Sequence, residues 1–184
     1  IEGRIAPEYP VVEWVCYIEN KGSDTTAIFS DILAADLAVA FAGEENYNYR
    51  FRYSLGSHDG FDDFALKDSI VTPNQSKISF GARAGWATAS YLPFFNIDRG
   101  QEEGIIASVG WAGQWKADFT TEGNTLRIEA GLEKTHLRLY PGEKIRTPLM
   151  MMLFWQGDRQ KAHNTLRRYI VKYSSPKPNG KDLK

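Results

Sequence analysis

The sequence predicts an all-β fold: a large antiparallel β-sandwich closed by one C-terminal amphipathic helix. Three observations carry this. Apolar and polar residues alternate in several segments, turn formers recur at short intervals, and a single late segment changes to a helical period. The 184 residues, 42% hydrophobic and 24% charged, suit one domain with its own core and exclude wholesale disorder.

The elements follow in chain order. Val12, Trp14, Cys16 and Ile18 alternate with Glu13, Val15, Tyr17 and Glu19, and Asn20-Lys21-Gly22-Ser23 follows as a turn. Residues 31–42 are Ala-rich and compete as a helix, but Ile28, Phe29, Val39 and Phe41 around them favour a strand. Tyr47, Tyr49, Phe51 and Tyr53 alternate with Asn48, Arg50, Arg52 and Ser54; Leu126, Ile128 and Ala130 alternate with Arg127 and Glu129. The short apolar runs 105–109 and 149–155 read as strands buried on both faces. Gly56-Ser57, Pro73-Asn74, Glu122-Gly123-Asn124 and Pro141-Gly142 supply further turns. From 158 to 173 the period changes. Ala162, Leu166, Tyr169, Ile170 and Tyr173 fall on one helical face, with Asp158 at the acidic start and Pro176 beyond the end. No internal repeat is visible.

Charge and composition exclude several functions. Lys plus Arg is 22 and Asp plus Glu is 23, a net charge of -1, so the chain lacks the basic field of a non-specific nucleic-acid binder. No apolar run approaches the roughly 20 residues that span a bilayer, so no membrane span is expected. Cys16, the one cysteine, excludes an internal disulfide framework and a thiolate cluster, and leaves the compartment open between secreted or periplasmic and cytoplasmic. Ile1-Glu2-Gly3-Arg4 has two readings, the tail of a native strand or a tag-removal sequence; with no initiator Met and no signal peptide in the sequence, removal of the natural start is the expectation. Ser174-Ser175-Pro176-Lys177-Pro178-Asn179-Gly180 is linker-like.

Side-chain chemistry offers little by itself. Cys16 shares a face with Trp14 and Ile18, which reads as packing rather than as a nucleophile. His58, His136 and His163 lack the paired spacing of a zinc site, and His58-Asp59-Gly60-Phe61-Asp62-Asp63 departs from calcium-loop spacing, so it reads as a solvated turn. Gly81-Ala82-Arg83-Ala84-Gly85 is not a phosphate loop. No metal or cofactor is expected. The aromatics are more informative: Trp86, Tyr91, Phe94, Phe95, Trp111 and Trp115 crowd into one stretch, with Asn96, Asp98, Arg99 and Gln114 among them. Such a set suits packing between two sheets first, and second a carbohydrate site with aromatic faces against sugar C–H groups.

A longer pattern then stands out. Leu92-Pro93-Phe94-Phe95-Asn96-Ile97 leads into 104–115, then Leu126-Arg127-Ile128-Glu129-Ala130-Gly131-Leu132-Glu133 and Leu137-Arg138-Leu139-Tyr140-Pro141-Gly142-Glu143. Arg146-Thr147-Pro148, Leu153-Phe154-Trp155-Gln156-Gly157-Asp158-Arg159 and His163-Asn164 complete it, with Val12-Glu13-Trp14-Val15 and the Gly56-Ser57 to Asp62-Asp63-Phe64-Ala65 segment upstream. From about Glu8 to Pro176 this order resembles the N-terminal domain of glycoside hydrolase family 36, the alpha-galactosidase-like enzymes. The resemblance implies a β-supersandwich over 1–173, including the helix 158–173, and a linker over 174–184 toward a catalytic (β/α)8 barrel outside this chain. It also implies that the nucleophile and the acid/base are aspartates of that barrel. The pairs Asp62-Asp63 and Glu44-Glu45 are sequence neighbours, which point apart on a strand, so no catalytic residue is assigned here.

Three roles are then expected, in this order: a scaffold for the barrel, also able to pair with another subunit; a contributor of a loop to the active-site mouth; and a stand-alone carbohydrate-binding module for oligosaccharides with alpha-linked galactose. Candidate sugar contacts are Trp86, Tyr91, Asp98 and Arg99, on a loop expected over 86–99, with Arg99 alternatively neutralising Asp98 as a structural pair.

Overall fold

The computed structural model describes residues 1–57, 59–100 and 102–180; His58 of the predicted turn and the last four linker residues lie outside them. In chain order the strands are β1 (Glu2–Ile5), β2 (Val11–Val15), β3 (Tyr17–Glu19), β4 (Phe29–Ser30), β5 (Leu33–Ala40), β6 (Tyr49–Ser54), β7 (Leu66–Val71) and β8 (Asn74–Gly81). Then come β9 (Phe94–Asp98), β10 (Glu103–Gly110), β11 (Trp115–Glu122), β12 (Thr125–Leu132), β13 (His136–Leu137), β14 (Lys144–Arg146) and β15 (Leu149–Gln156), and finally the helix α1 (Arg159–Tyr173).

A seven-stranded sheet in the order β1-β2-β15-β10-β9-β6-β7 faces a four-stranded sheet in the order β5-β12-β11-β8, with antiparallel pairing throughout. This is the predicted antiparallel sandwich. Two short ribbons, β4 with β13 and β3 with β14, extend it. Between the sheets, Tyr49, Phe51, Phe95, Ile97, Ile105, Ala107 and Met152 meet Phe80, Ala117, Phe119, Leu126 and Ile128. Edge-to-face contacts link Phe51 to Phe119 and Phe95 to Phe119, both at 5.3 Å, so large aromatic side chains fill the gap between the sheets.

The seven-stranded sheet has a second covered face. Leu153, Met151 and Ile106 alternate with the inward residues of β15 and β10 and pack under Ala162, Leu166 and Tyr169 of α1. Burial on both faces explains why these two strands read as unbroken apolar runs. Gly104 permits a close approach there: a Cβ would lie 2.5 Å from the Ile97 carbonyl oxygen and 2.6 Å from the Trp155 ring. The helix starts as predicted, with the Asp158 carboxylate accepting from the Gln160 N–H at 2.7 Å.

Two local expectations change. The segment 12–18 is not one strand: β2 pairs with β15 and β3 with β14, and the break falls at Cys16, whose N–H donates to Thr147 Oγ1 at 3.0 Å. The expected loop 86–99 ends early, because 94–98 is strand β9, paired on both sides inside the large sheet. Residues 31–42 resolve in favour of strand β5. Residues 2–5 form edge strand β1, where Arg4 is ion-paired to Glu13 at 2.6 Å and lies over the Tyr173 ring.

Candidate functional site

The segment 82–93 joins β8 to β9 across one end of the sandwich. It is tied from three sides. Gly85 N–H donates to Gln114 Oε1 at 3.1 Å, the Trp115 indole donates to the Ala87 carbonyl at 2.7 Å, and the N–H groups of Gly56 and Ser57 donate to the carbonyls of Ser90 and Thr88. Gly56 is required for this docking, since a Cβ there would meet the Thr88 carbonyl oxygen at 1.5 Å. The backbone takes positive φ at Ala84, Gly85 and Ser90. The result is a braced turn that leaves the Trp86 side chain 69% exposed. An exposed indole on a braced backbone offers apolar contact area and has only two side-chain torsions to lose.

The other sequence candidates lie elsewhere. Tyr91 packs edge-on against Phe80 and Tyr53 at the margin of the core. Asp98 and Arg99 sit at the far end of β9, about 13 Å along the strand from Phe94 at the usual rise per residue. Both are buried and both are engaged. Asp98 pairs with Arg52 and accepts from the Gly100 N–H at 2.9 Å. Arg99 donates to the carbonyls of Ala42, Glu44 and Tyr47 and lies against the Tyr49 ring. Asp98 is therefore neutralised by Arg52 rather than by its sequence neighbour. The structure does not bring Trp86 and Asp98 together. In the turn after Ser57, the Asp63 carboxylate accepts from Ser57 Oγ at 2.6 Å and from the Gly60 N–H.

A polar cluster that sequence reasoning missed lies where α1 meets β9 and β15. The Trp155 indole N–H, which can only donate, points to Asn96 Oδ1 at 3.2 Å. This fixes the amide: Nδ2 faces His163 Nε2 at 2.9 Å and must donate to it. His163 is therefore neutral at Nε2 and carries its proton on Nδ1. Burial lowers its pKa from the ordinary value, and the positive charges of Arg159 and Arg52 lower it further. A second buried polar group, Tyr169, donates to Glu13 Oε2 at 2.6 Å and accepts from Arg4; burial, reinforced by Glu13, pushes its phenol up to about 12. Asn96, Trp155 and His163 are 59 and 67 residues apart, and no local spacing signals their meeting.

The fold defines a class: it is the β-sandwich fold of a domain within alpha-galactosidases, those of glycoside hydrolase family 36 among them. The alpha-galactosidase of Lactobacillus brevis superposes with a TM-score of 0.69 at 15% identity, over 91% of this chain and 22% of that enzyme. The family 36 alpha-galactosidase AgaA of Geobacillus stearothermophilus gives 0.60 at 16% identity, over 82% and 21%. The galactosidase domain of the alpha-galactosidase–sucrose kinase AgaSK gives 0.61 at 18% identity, over 80% and 20%. The chain thus spans about a fifth of the length of the structures it matches. No family model matches the sequence, and no curated protein does.

Proposed function

We propose that this chain is the non-catalytic N-terminal sandwich domain of an alpha-galactosidase-like glycoside hydrolase, with 1–173 as the domain and 174–184 as a linker to a catalytic (β/α)8 barrel. Its role in this reading is to scaffold that barrel, with the braced turn carrying Trp86 as the segment lent to the active-site mouth. One observation carries the reading: the likeness covers 91% of this chain but 22% of a whole alpha-galactosidase. In this reading the barrel supplies both catalytic carboxylates, and none of this chain's own acids takes part. The test is the gene itself. Its reading frame is expected to continue past Lys184 into eight strand–helix repeats, and a stop codon directly after Lys184 would overturn the proposal.

A second reading, a carbohydrate-binding module for alpha-galactosides, is favoured by the exposure of Trp86. Tyr91, Asp98 and Arg99 are spent within the fold, so the reading rests on that indole. Titrating galactose and raffinose into the chain while following indole fluorescence tests it. Saturable quenching that is lost in Trp86→Ala, at unchanged melting temperature, supports a module; no saturation in the unmodified chain leaves the scaffold alone.

A further inference from the structure

A cavity of about 600 Å³ lies between the first turns of α1 and the part of the seven-stranded sheet that α1 leaves uncovered. Asn96 and Ile106 line it from the sheet, Arg52, Lys67 and Asp68 from β6 and β7, and Arg159 and His163 from the helix. Donors without acceptors collect around this space. Arg52 spends Nη1 on Asp98, but its buried Nε has no hydrogen-bond partner. Asp68 stands 3.7 Å from that Nε, too far for a hydrogen bond, and it also faces Arg50 at 3.8 Å. The relay through Asn96 leaves the proton of His163 on Nδ1, which meets no acceptor among the described residues. Arg159 makes no ion pair among them either.

The charges narrow the class of ligand. Arg50, Arg52 and Arg159 stand with Asp68 and Asp98 on this side of the sheet, which leaves one positive charge over, while Lys67, next to Asp68 on β7, lines the margin from the other strand face. A monoanion balances this, whereas a dianion overshoots. A carboxylate offers two oxygens with about four lone-pair sites to a set of guanidinium and imidazole donors. A sugar hydroxyl presents one oxygen at a time, and the acceptors here are partly spent: Asn96 is engaged at both ends and Asp68 is shared between Arg50 and Arg52. Phe94 and Leu66, 37% and 86% exposed, border the opening and suit an apolar stem behind the charged group.

We propose that this cavity is a carboxylate-binding site, in which the carboxylate accepts from Arg52 Nε, His163 Nδ1 and the Arg159 guanidinium. The carboxylate comes either from a free sugar acid or from an Asp or Glu side chain presented by another protein surface. Nuclear magnetic resonance titration of the chain tests this, following the His163 ring and the Arg52 Nε–H. The probes are acetate, D-galacturonate and N-acetyl-glutamate amide, with galactose and inorganic phosphate as comparisons.

The carboxylates are expected to shift both resonances saturably and to raise the pH at which His163 takes up a proton, while galactose does neither. Arg159→Gln is expected to weaken binding about fivefold or more without changing the melting temperature, because the side chain is exposed and makes no ion pair among the described residues. Asp68→Asn is expected to tighten it by removing a competing carboxylate. Galacturonate binding about tenfold tighter than the glutamate amide identifies a free sugar acid; equal or weaker binding identifies a side chain. The proposal is overturned if no carboxylate saturates, if galactose shifts the same resonances equally, if phosphate binds tighter than every carboxylate, or if both variants leave affinity unchanged.

Discussion

Asn96 joins three elements through one amide. It sits on β9, accepts from Trp155 on β15 and donates to His163 on α1. The direction of each bond follows from the indole, which has no acceptor to offer, so the state of His163 is set two residues away. Protonating Nε2 would turn the last bond into two opposed donors. It would also place a positive charge near Arg159 and Arg52, with Asp98 already held by Arg52 and Asp68 shared between Arg50 and Arg52. The folded-state pKa of His163 therefore lies below its unfolded value of about 6.5. Below that pH the unfolded chain binds a proton that the folded chain refuses, so this contribution is complete above about 6.5 and declines as the pH falls. Urea unfolding at pH 7 and pH 5.5 is expected to show a smaller loss of stability on acidification in His163→Gln, whose amide oxygen still accepts from Asn96. An identical loss in both proteins would remove His163 from the account.

At the scale of elements, α1 is held to the sheet by a narrow apolar stripe, to which the bonds of Tyr169 with Glu13 and of His163 with Asn96 add. Ala162, Leu166 and Tyr169 are its buried residues, while Arg159, Lys161, Arg167 and Arg168 are exposed. Leu166→Ala is expected to cost about 2–4 kcal/mol in chemical unfolding, because the cavity opens between rigid β-sheet and helix. A cost below about 1 kcal/mol would mean that α1 is not docked as described.

The elements most legible in the sequence are those whose packing is one-sided or complete. The four-and-seven spacing of α1 and the unbroken runs of β10 and β15 report a stripe and a doubly covered strand directly. The break at Cys16 was not legible, since Cys16 fits the alternation and the interruption depends on Thr147, 131 residues away. Strand β9 was hidden because its helix-facing positions, Asn96 and Asp98, are polar yet buried through long-range partners. The candidate site was legible only in part. Aromatic content does not tell Trp115, fully buried, from Trp86, largely exposed; the difference arises because Trp115 starts β11 and points into the core under the braced turn, whereas Trp86 lies on that turn and faces outward.

For the whole molecule, two cores flank one seven-stranded sheet, and α1 covers only the half nearer β2, β15 and β10. Beyond it, the outer face of β7 carries Leu66 and Ile70, 86% and 62% exposed, beside Phe94. Apolar side chains gathered on an uncovered sheet suit a surface that packs against something else, as a scaffold does. The central claim is that this sandwich serves an alpha-galactosidase-like enzyme without supplying its catalytic groups. The most direct measurement is hydrolysis of 4-nitrophenyl alpha-D-galactoside by three proteins: the 184-residue chain, the full gene product, and that product with residues 1–184 removed. No turnover is expected from the chain alone, turnover from the full product, and reduced activity or solubility once the sandwich is deleted. Turnover by the chain alone, abolished by changing one of its own carboxylates, would contradict it.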